Sequence, residues 1–154
     1  MTNLVWNLKS FDQLSVPELY QILKARCDVF VVEQECPYPD LDDYDQKALH
    51  LWAEHDGEVY AYCRIFPQHI KYNENSIGRV LTTSKGRRSG LGKILLKFAI
   101  EIVENYYKTK SIRISAQDYL ISFYSGFGFK ETSKKYLEDG IPHKTRIRVC
   151  LCNK

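Results

Sequence analysis

Apolar positions along this chain change period several times, and each change marks an element. Leu14-Ser15-Val16-Pro17-Glu18-Leu19 reads as a helix start: Ser15 is an N-cap, Glu18 completes a capping box three residues on, and Leu14 can staple to Leu19. Leu19, Ile22, Leu23, Cys27 and Phe30 then recur at helical spacing, which predicts a helix laying that face on the core before Val31 and Val32. Residues 35–48 hold Pro37, Pro39, four aspartates and two tyrosines with no apolar period, so an irregular connection is expected. Leu49 to His55 and Glu58 to Phe66 flank Asp56-Gly57, a dipeptide suited to a two-residue hairpin turn. Val59, Ala61, Cys63 and Ile65 alternate there with Tyr60, Tyr62 and Arg64, as in a half-buried strand.

A polar stretch through Lys71, Asn73 and Asn75 leads to a third strand near Ile77 to Thr82 and then to the turn Ser84-Lys85-Gly86-Arg87-Arg88-Ser89-Gly90. A long helix follows, with Leu91, Ile94, Leu95, Phe98, Ile102 and Tyr106 on its apolar face and Lys93, Lys97, Glu101 and Glu104 opposite. Ser111 to Ala116 predicts a short strand, Asp118 a cap for a helix from Tyr119 to Ser125 that Gly126 ends, and the chain closes with strands near Phe129 to Lys135 and His143 to Leu151. This order implies an α/β (α+β) fold, a mixed sheet covered by helices, in a single domain over residues 1–154.

Composition narrows the class. With 44% hydrophobic and 27% charged residues the chain resembles an ordinary globular protein, and no stretch approaches the roughly 20 apolar residues of a membrane span. The N-terminal residues lack the order of a secretion signal, which makes a cytoplasmic location the expectation. Five cysteines at irregular spacing predict reduced thiols, and Cys150 and Cys152 are too close together, without a second pair, for a zinc knuckle; no metal is expected. Net charge is +3, with bases gathered between Lys85 and Lys93 and acids between Asp40 and Asp45. Bases confined to one turn make a weak nucleic-acid footprint, so no nucleic-acid partner is expected. A basic turn suits a phosphorylated small molecule.

Arg87-Arg88-Ser89-Gly90-Leu91-Gly92 joins a strand to the start of the longest helix, where free N–H groups and the helix dipole favour phosphate. It is not a Walker A loop: five residues separate Gly86 from Gly92, and Ile94 stands where Ser or Thr is needed. Nor is it a dinucleotide fingerprint, because Leu95 occupies the place of the third small residue. The acidic residues from Asp40 fail the EF-hand pattern, with Asp45 at the sixth position and Leu51 at the twelfth. That run is expected to be either a solvated loop or a field attracting a cationic acceptor.

Arg87-x-x-Gly90-x-Gly92, placed after Gly78-Arg79-Val80-Leu81-Thr82, resembles the acetyl-CoA-binding motif of the GNAT N-acetyltransferases. Ala116-Gln117, then Phe123-Tyr124 and Gly128-Phe129, resembles the later motif of that superfamily. The finer resemblance is to its ElaA-like branch, through Arg26, Val29 to Gln34, Asp45, His50, Ile77 to Val80 and Glu138 to His143. Arg88 stands where that branch usually has Gly, and Lys144 and Arg146 where it has more apolar residues.

This resemblance implies a GNAT-type fold, a mostly antiparallel twisted sheet flanked by helices, and acetyl transfer from acetyl-CoA to a primary amine by direct attack in a ternary complex. The acceptor would be an amine-bearing small molecule or peptide, and the protein a monomer or homodimer. Arg87, Arg88, Ser89, Gly90, Leu91, Gly92 and Lys93 would hold the pyrophosphate, Val80 and Thr82 the pantetheine arm, and an N–H near Val80 or Leu81 the thioester oxygen, with Gln117 and Phe123 beside the donor. Tyr124 would be the general acid for the CoA thiolate. Glu33, His50 and His143 are candidates for the base, Glu33 foremost because partial burial past an apolar helix would suit it; an ion pair with Arg26 or Arg64 is its structural alternative. The alternative function is a non-catalytic CoA-binding regulatory module.

Overall fold

The computed structural model describes residues 3–131, 136–138 and 141–149. Its strands are β1 (Val5–Ser10), β2 (Leu49–His55), β3 (Glu58–Phe66), β4 (Asn75–Thr82), β5 (Ser111–Gln117), β6 (Lys130–Glu131), β7 (Tyr136–Glu138) and β8 (Ile141–Val149). They form one sheet in the order β1-β2-β3-β4-β5-β8-β6, with β7 also on β8. Every pairing is antiparallel except β4 with β5. The expectations for Cys150, Cys152 and residues 132–135 lie outside the described residues.

The hairpin of β2 and β3 has the expected bounds, with Asp56 at φ 50° and Gly57 at φ 75° supplying the left-handed angles that let a two-residue turn match strand twist. Helix α1 (Val16–Arg26) starts at the expected capping box: Ser15 Oγ accepts from the Glu18 N–H at 3.2 Å, and the Glu18 carboxylate accepts from the Ser15 N–H at 2.8 Å. Helix α2 is Leu91–Tyr106, and a turn at Asp118–Leu120 leads into the short α3 (Ile121–Ser125).

One strand is new to the reading, and three expectations are corrected. The N-terminal residues form β1, which pairs with β2 from Val5 opposite Glu54 to Ser10 opposite Leu49; an edge strand has one neighbour and needs no clean alternation, so the sequence did not signal it. After Arg26 the chain winds more loosely as a π-helix (Cys27–Glu33), which turns Cys27 out to solvent and puts Val29 in the core. Helix α2 buries Leu91, Leu95, Leu96, Ala99, Ile100 and Val103, leaving Ile94 and Tyr106 exposed, because that stripe faces the sheet and the other apolar residues lie at its margin.

The third correction concerns β3. Register shifts between Ala53/Glu54 and Ala61/Val59, and this bulge moves Val59 to the face it shares with Trp52 and Tyr62. Both faces are covered. Ala61, Cys63 and Ile65 pack with α2, whereas Val59, Tyr62 and Leu81 pack with Ile22, Ala25 and Val29 of the first helical segment. Tyr62 and Arg64, expected on a polar face, are therefore buried.

Candidate active site

The site begins where the sheet comes apart. Strands β4 and β5 pair only at Asn75 with Ile112 and Ser76 with Arg113, and beyond that point they diverge around a cavity of about 530 Å³. Ile77 to Thr82 line one wall and Ser115, Ala116 and Gln117 the other, so among the described residues the β4 edge from Ile77 onward has no strand partner on that side.

A second irregularity aims this edge. In the β3–β4 register Tyr62 opposes Leu81 and Arg64 opposes Gly78, so Arg79 and Val80 together face Cys63. Arg79 holds φ 51° at this bulge. The extra residue bends the strand and reverses which face each later side chain takes: Ile77 and Val80 pack toward α2, and Leu81 toward α1.

At the cavity's outer end the turn after β4 delivers the N-terminus of α2. Gly86 is seated against Tyr60, where a Cβ would lie 2.4 Å from the carbonyl oxygen, and Gly90 caps α2 at φ 76°. The first intrahelical bonds run from Lys93 and Ile94 back to the Gly90 carbonyl, which leaves the earlier amides, including Leu91 and Gly92, without helical acceptors. Gly92 lies against β4 and α3, with Thr82 Cγ2 3.6 Å and Phe123 Cζ 3.9 Å from a Cβ placed there. Ser89 Oγ donates to the Gly86 carbonyl at 2.7 Å, and Lys93 is exposed. Arg88 is exposed at φ 60°, a left-handed backbone angle that glycine adopts without strain. Arg87 donates to the Thr82 carbonyl at 3.2 Å and pairs with the Glu33 carboxylate.

Tyr124 of α3 lines the middle of the cavity. It is 5% exposed, packs edge-on against Phe123 and Phe129, and its hydroxyl has no hydrogen-bond partner among the described residues. Burial pushes its pKa up, reinforced by Cys63 and Tyr119, so the phenol is protonated at neutral pH. Gln117 donates to Gln34 Oε1 at 3.0 Å, linking β5 to the end of the π-helix.

The base candidates separate. Glu33 lines the cavity, but instead of the half-buried carboxylate expected it is an exposed one paired with Arg87. Arg26 and Arg64, its expected partners, are taken by aspartates. His50 lies in the core at 0% exposure, away from the cavity lining. Its Nε2 lies 2.9 Å from the Asp45 carbonyl, which can only accept, so Nε2–H donates and Nδ1 accepts from the Tyr62 hydroxyl at 2.8 Å. Burial lowers the His50 pKa, and the ring is neutral. His143 is placed by its backbone on β8 opposite Gln117.

The acidic run is neither a solvated loop nor an open attracting field. Arg26 Nε donates to Asp40 at 2.8 Å and Nη1 to Asp45 at 2.6 Å, while Arg64 Nη1 donates to Asp42 at 2.7 Å and to Asp45 at 2.9 Å. Arg79 pairs with Asp40, and Lys71 approaches Asp42 at 3.4 Å. Both arginines keep their charge, Arg64 raised by Asp42 and Asp45 against burial, and these cations hold the Asp42 carboxyl well below the usual range. The network pins loop 35–48 to the inner end of the cavity. Tyr38, Arg64, Lys71, Tyr72, Ser76 and Arg79 line that end, and the sequence singled out none of them as site residues. Lys71 stands in a connection without periodicity, so no local signal marked it.

Residues 18–145 match the family model described as "Acetyltransferase (GNAT) domain". The chain belongs to the GNAT family. Its relatives place it in the ElaA-like branch: ElaA of Escherichia coli is 36% identical over 140 residues, covering 90% of this chain and 92% of that protein. A UPF0039 protein of Schizosaccharomyces pombe is 40% identical over 145 residues, covering 93% and 95%. The crystal structure of an acyl-CoA N-acyltransferase from Pseudomonas aeruginosa superposes with TM-score 0.91 at 37% identity, covering 96% of this chain and all of that one. This GNAT domain thus has the acyl-CoA N-acyltransferase fold, and the family to which it belongs transfers acyl groups from acyl-CoA.

Proposed function

We propose that this protein is an acetyl-CoA-dependent N-acetyltransferase acting on a primary amine in a ternary complex. The observation that carries this reading is the unpaired β4 edge running from the α2 N-terminus past the buried Tyr124 hydroxyl, one continuous track for a long thioester. The donor's pyrophosphate takes the amides and side chains of Arg87 to Lys93, helped by the dipole of α2. Pantetheine extends along Val80, Leu81 and Thr82 as a strand would, with Gln117 and Phe123 on the opposite wall. A β4 amide near Val80 or Leu81 meets the charge developing on the thioester oxygen.

The neutral amine attacks the thioester carbonyl carbon, the C–S bond breaks, and the nitrogen loses one proton while the CoA sulfur gains one from Tyr124. Cysteine plays no covalent part; Cys63 is buried, and burial pushes its thiol pKa up. Glu33 is the proposed base, acting through water once the pyrophosphate has drawn Arg87 away from it. The reduced thiols of Cys27 and Cys63 suit a reducing, cytoplasmic compartment.

Thermal unfolding with and without acetyl-CoA, joined to thiol release on a panel of amines, tests this. A donor at 100 times its Kd adds about 2.7 kcal/mol of stability. A shift with turnover is expected; a shift without turnover on any amine would leave a CoA-binding module, and no shift at millimolar acetyl-CoA would remove the reading.

A further inference from the structure

The inner end of the cavity has more donors than acceptors. Asp42 Oδ2 is approached by Arg64 Nη2, by Lys71 Nζ at 3.4 Å and by Arg79 Nη2 at 3.5 Å. Across this linked cluster Arg26, Arg64, Lys71 and Arg79 face Asp40, Asp42 and Asp45, four positive groups against three negative ones. The neighbouring Arg113–Glu74 pair is neutral as a whole and leaves the surplus unchanged.

Three buried polar atoms of the lining residues also make no hydrogen bond among the described residues; one, Arg79 Nε, still lies 2.8 Å from Asp40 Oδ1 in an ion pair, and the other two have no such counter-charge. Arg64, 1% exposed, engages Asp42 and Asp45 through Nη1 and Nη2, but its Nε–H has no hydrogen-bond partner among the described residues; neither has the hydroxyl of Ser76, 2% exposed on β4. An unmade hydrogen bond at a buried donor costs about 1–3 kcal/mol, so such atoms in a cavity wall point to a ligand. Space lies beside one of them. A Cβ at Gly78, on the same wall, would sit 4.0 Å from Arg64 Nε with no closer neighbour outside the adjoining residues. Glycine here keeps the approach to that nitrogen open.

We propose that Arg64, Lys71 and Ser76, reached through the space beside Gly78, form a subsite for a carboxylate, and hence that the acceptor is an amine that also carries a carboxylate, an amino-acid-type substrate. This rests on the N-acyl-transfer reading above and specifies its acceptor. One surplus positive charge matches a monoanion better than a phosphate dianion. Lys71 contributes charge from beside the rings of Tyr44 and Phe66, 4.9 Å and 5.7 Å from their centroids, and Tyr38 and Tyr72 give the rest of the subsite an aromatic lining. The carboxylate is held and does not react; only the amine exchanges its proton for the acetyl group.

The test compares amino acids with their amides and methyl esters as acceptors for the full chain with acetyl-CoA, alongside Lys71→Met and Gly78→Ala. Donor-induced thermal shifts are followed for all three proteins. The amide and ester carry the less basic amine, so intrinsic reactivity at neutral pH works against the expected preference. We expect kcat/KM for acids to exceed that for their amides and esters by about tenfold or more, in line with a charge-assisted contact. Both variants should erase most of that gap through the KM for the acid, with the acetyl-CoA shift preserved. A normal donor shift with acids no better than amides would overturn the carboxylate subsite while leaving N-acyl transfer standing. A preference for phosphate-bearing amines, or a gap untouched in both variants, would overturn it equally. Absence of both donor shift and turnover would overturn the transfer reading, and this inference with it.

Discussion

Glu33, at the end of the π-helix, and Arg87, in the turn before α2, form an ion pair across the mouth of the cavity. A pyrophosphate arriving at α2 must compete with the Glu33 carboxylate for this guanidinium. Glu33→Gln removes the competitor, and because an exposed pair is worth only about 0.2–1 kcal/mol the Kd for acetyl-CoA should tighten by no more than about fivefold. If Glu33 is also the base, kcat falls in the same variant. Calorimetric titration and steady-state rates separate the two effects: tighter binding with unchanged kcat would confine Glu33 to the ion pair.

Tyr124→Phe should lower kcat by about tenfold to a hundredfold, within what a general acid contributes, and leave acetyl-CoA binding within about twofold. Because the hydroxyl has no hydrogen-bond partner among the described residues, its loss should change stability by less than about 1 kcal/mol. Equal kcat in variant and parent would remove the acid role.

Arg88 holds a left-handed backbone angle that costs a side-chain-bearing residue roughly 1–2 kcal/mol. Arg88→Gly relieves this but adds freedom to the unfolded chain, so a gain of about 0.5–1 kcal/mol is expected in chemical denaturation. The same change should weaken acetyl-CoA binding by a few-fold at low salt, with the difference narrowing as screening increases.

Asp45 accepts from both Arg26 and Arg64 in the buried network, so Asp45→Asn leaves two guanidiniums short of counter-charge. Breaking a buried pair from one side costs about 3–5 kcal/mol. The Tm should fall by roughly 6 °C or more for a chain of this size. A fall below about 2 °C would show that the network contributes little to stability.

His50 makes stability depend on pH in a defined direction. Its folded pKa lies below the unfolded value, so its contribution is fully present above an unfolded pKa of about 6.5 and is lost as pH falls through the lower folded pKa. Protonation would also turn Nδ1 from an acceptor of the Tyr62 hydroxyl into a donor. Urea denaturation at pH 7.5 and pH 5.5 should show this loss in the parent. His50→Gln should be less stable at both, with a shallower change between them; an unchanged slope would place the titrating group elsewhere.

Local chemistry made much of this protein readable from its sequence. The Ser15–Glu18 box, the Asp56-Gly57 turn and the glycines before α2 act through neighbours within a few residues, so their patterns specify their elements directly. Arg87 to Gly92 marked the donor end for the same reason: a helix N-terminus carries its own amides. Tertiary structure decided the rest. Whether Val59 or Tyr60 faces α1 depends on a bulge against β2, and which stripe of α2 is buried depends on the sheet it meets. The acidic run read as a solvated or attracting loop because its partners Arg26, Arg64 and Arg79 come from three other elements. The β4–β5 divergence and the unsatisfied Arg64 Nε exist only once strands distant in sequence are set side by side, because both are properties of what a neighbour leaves unpaired.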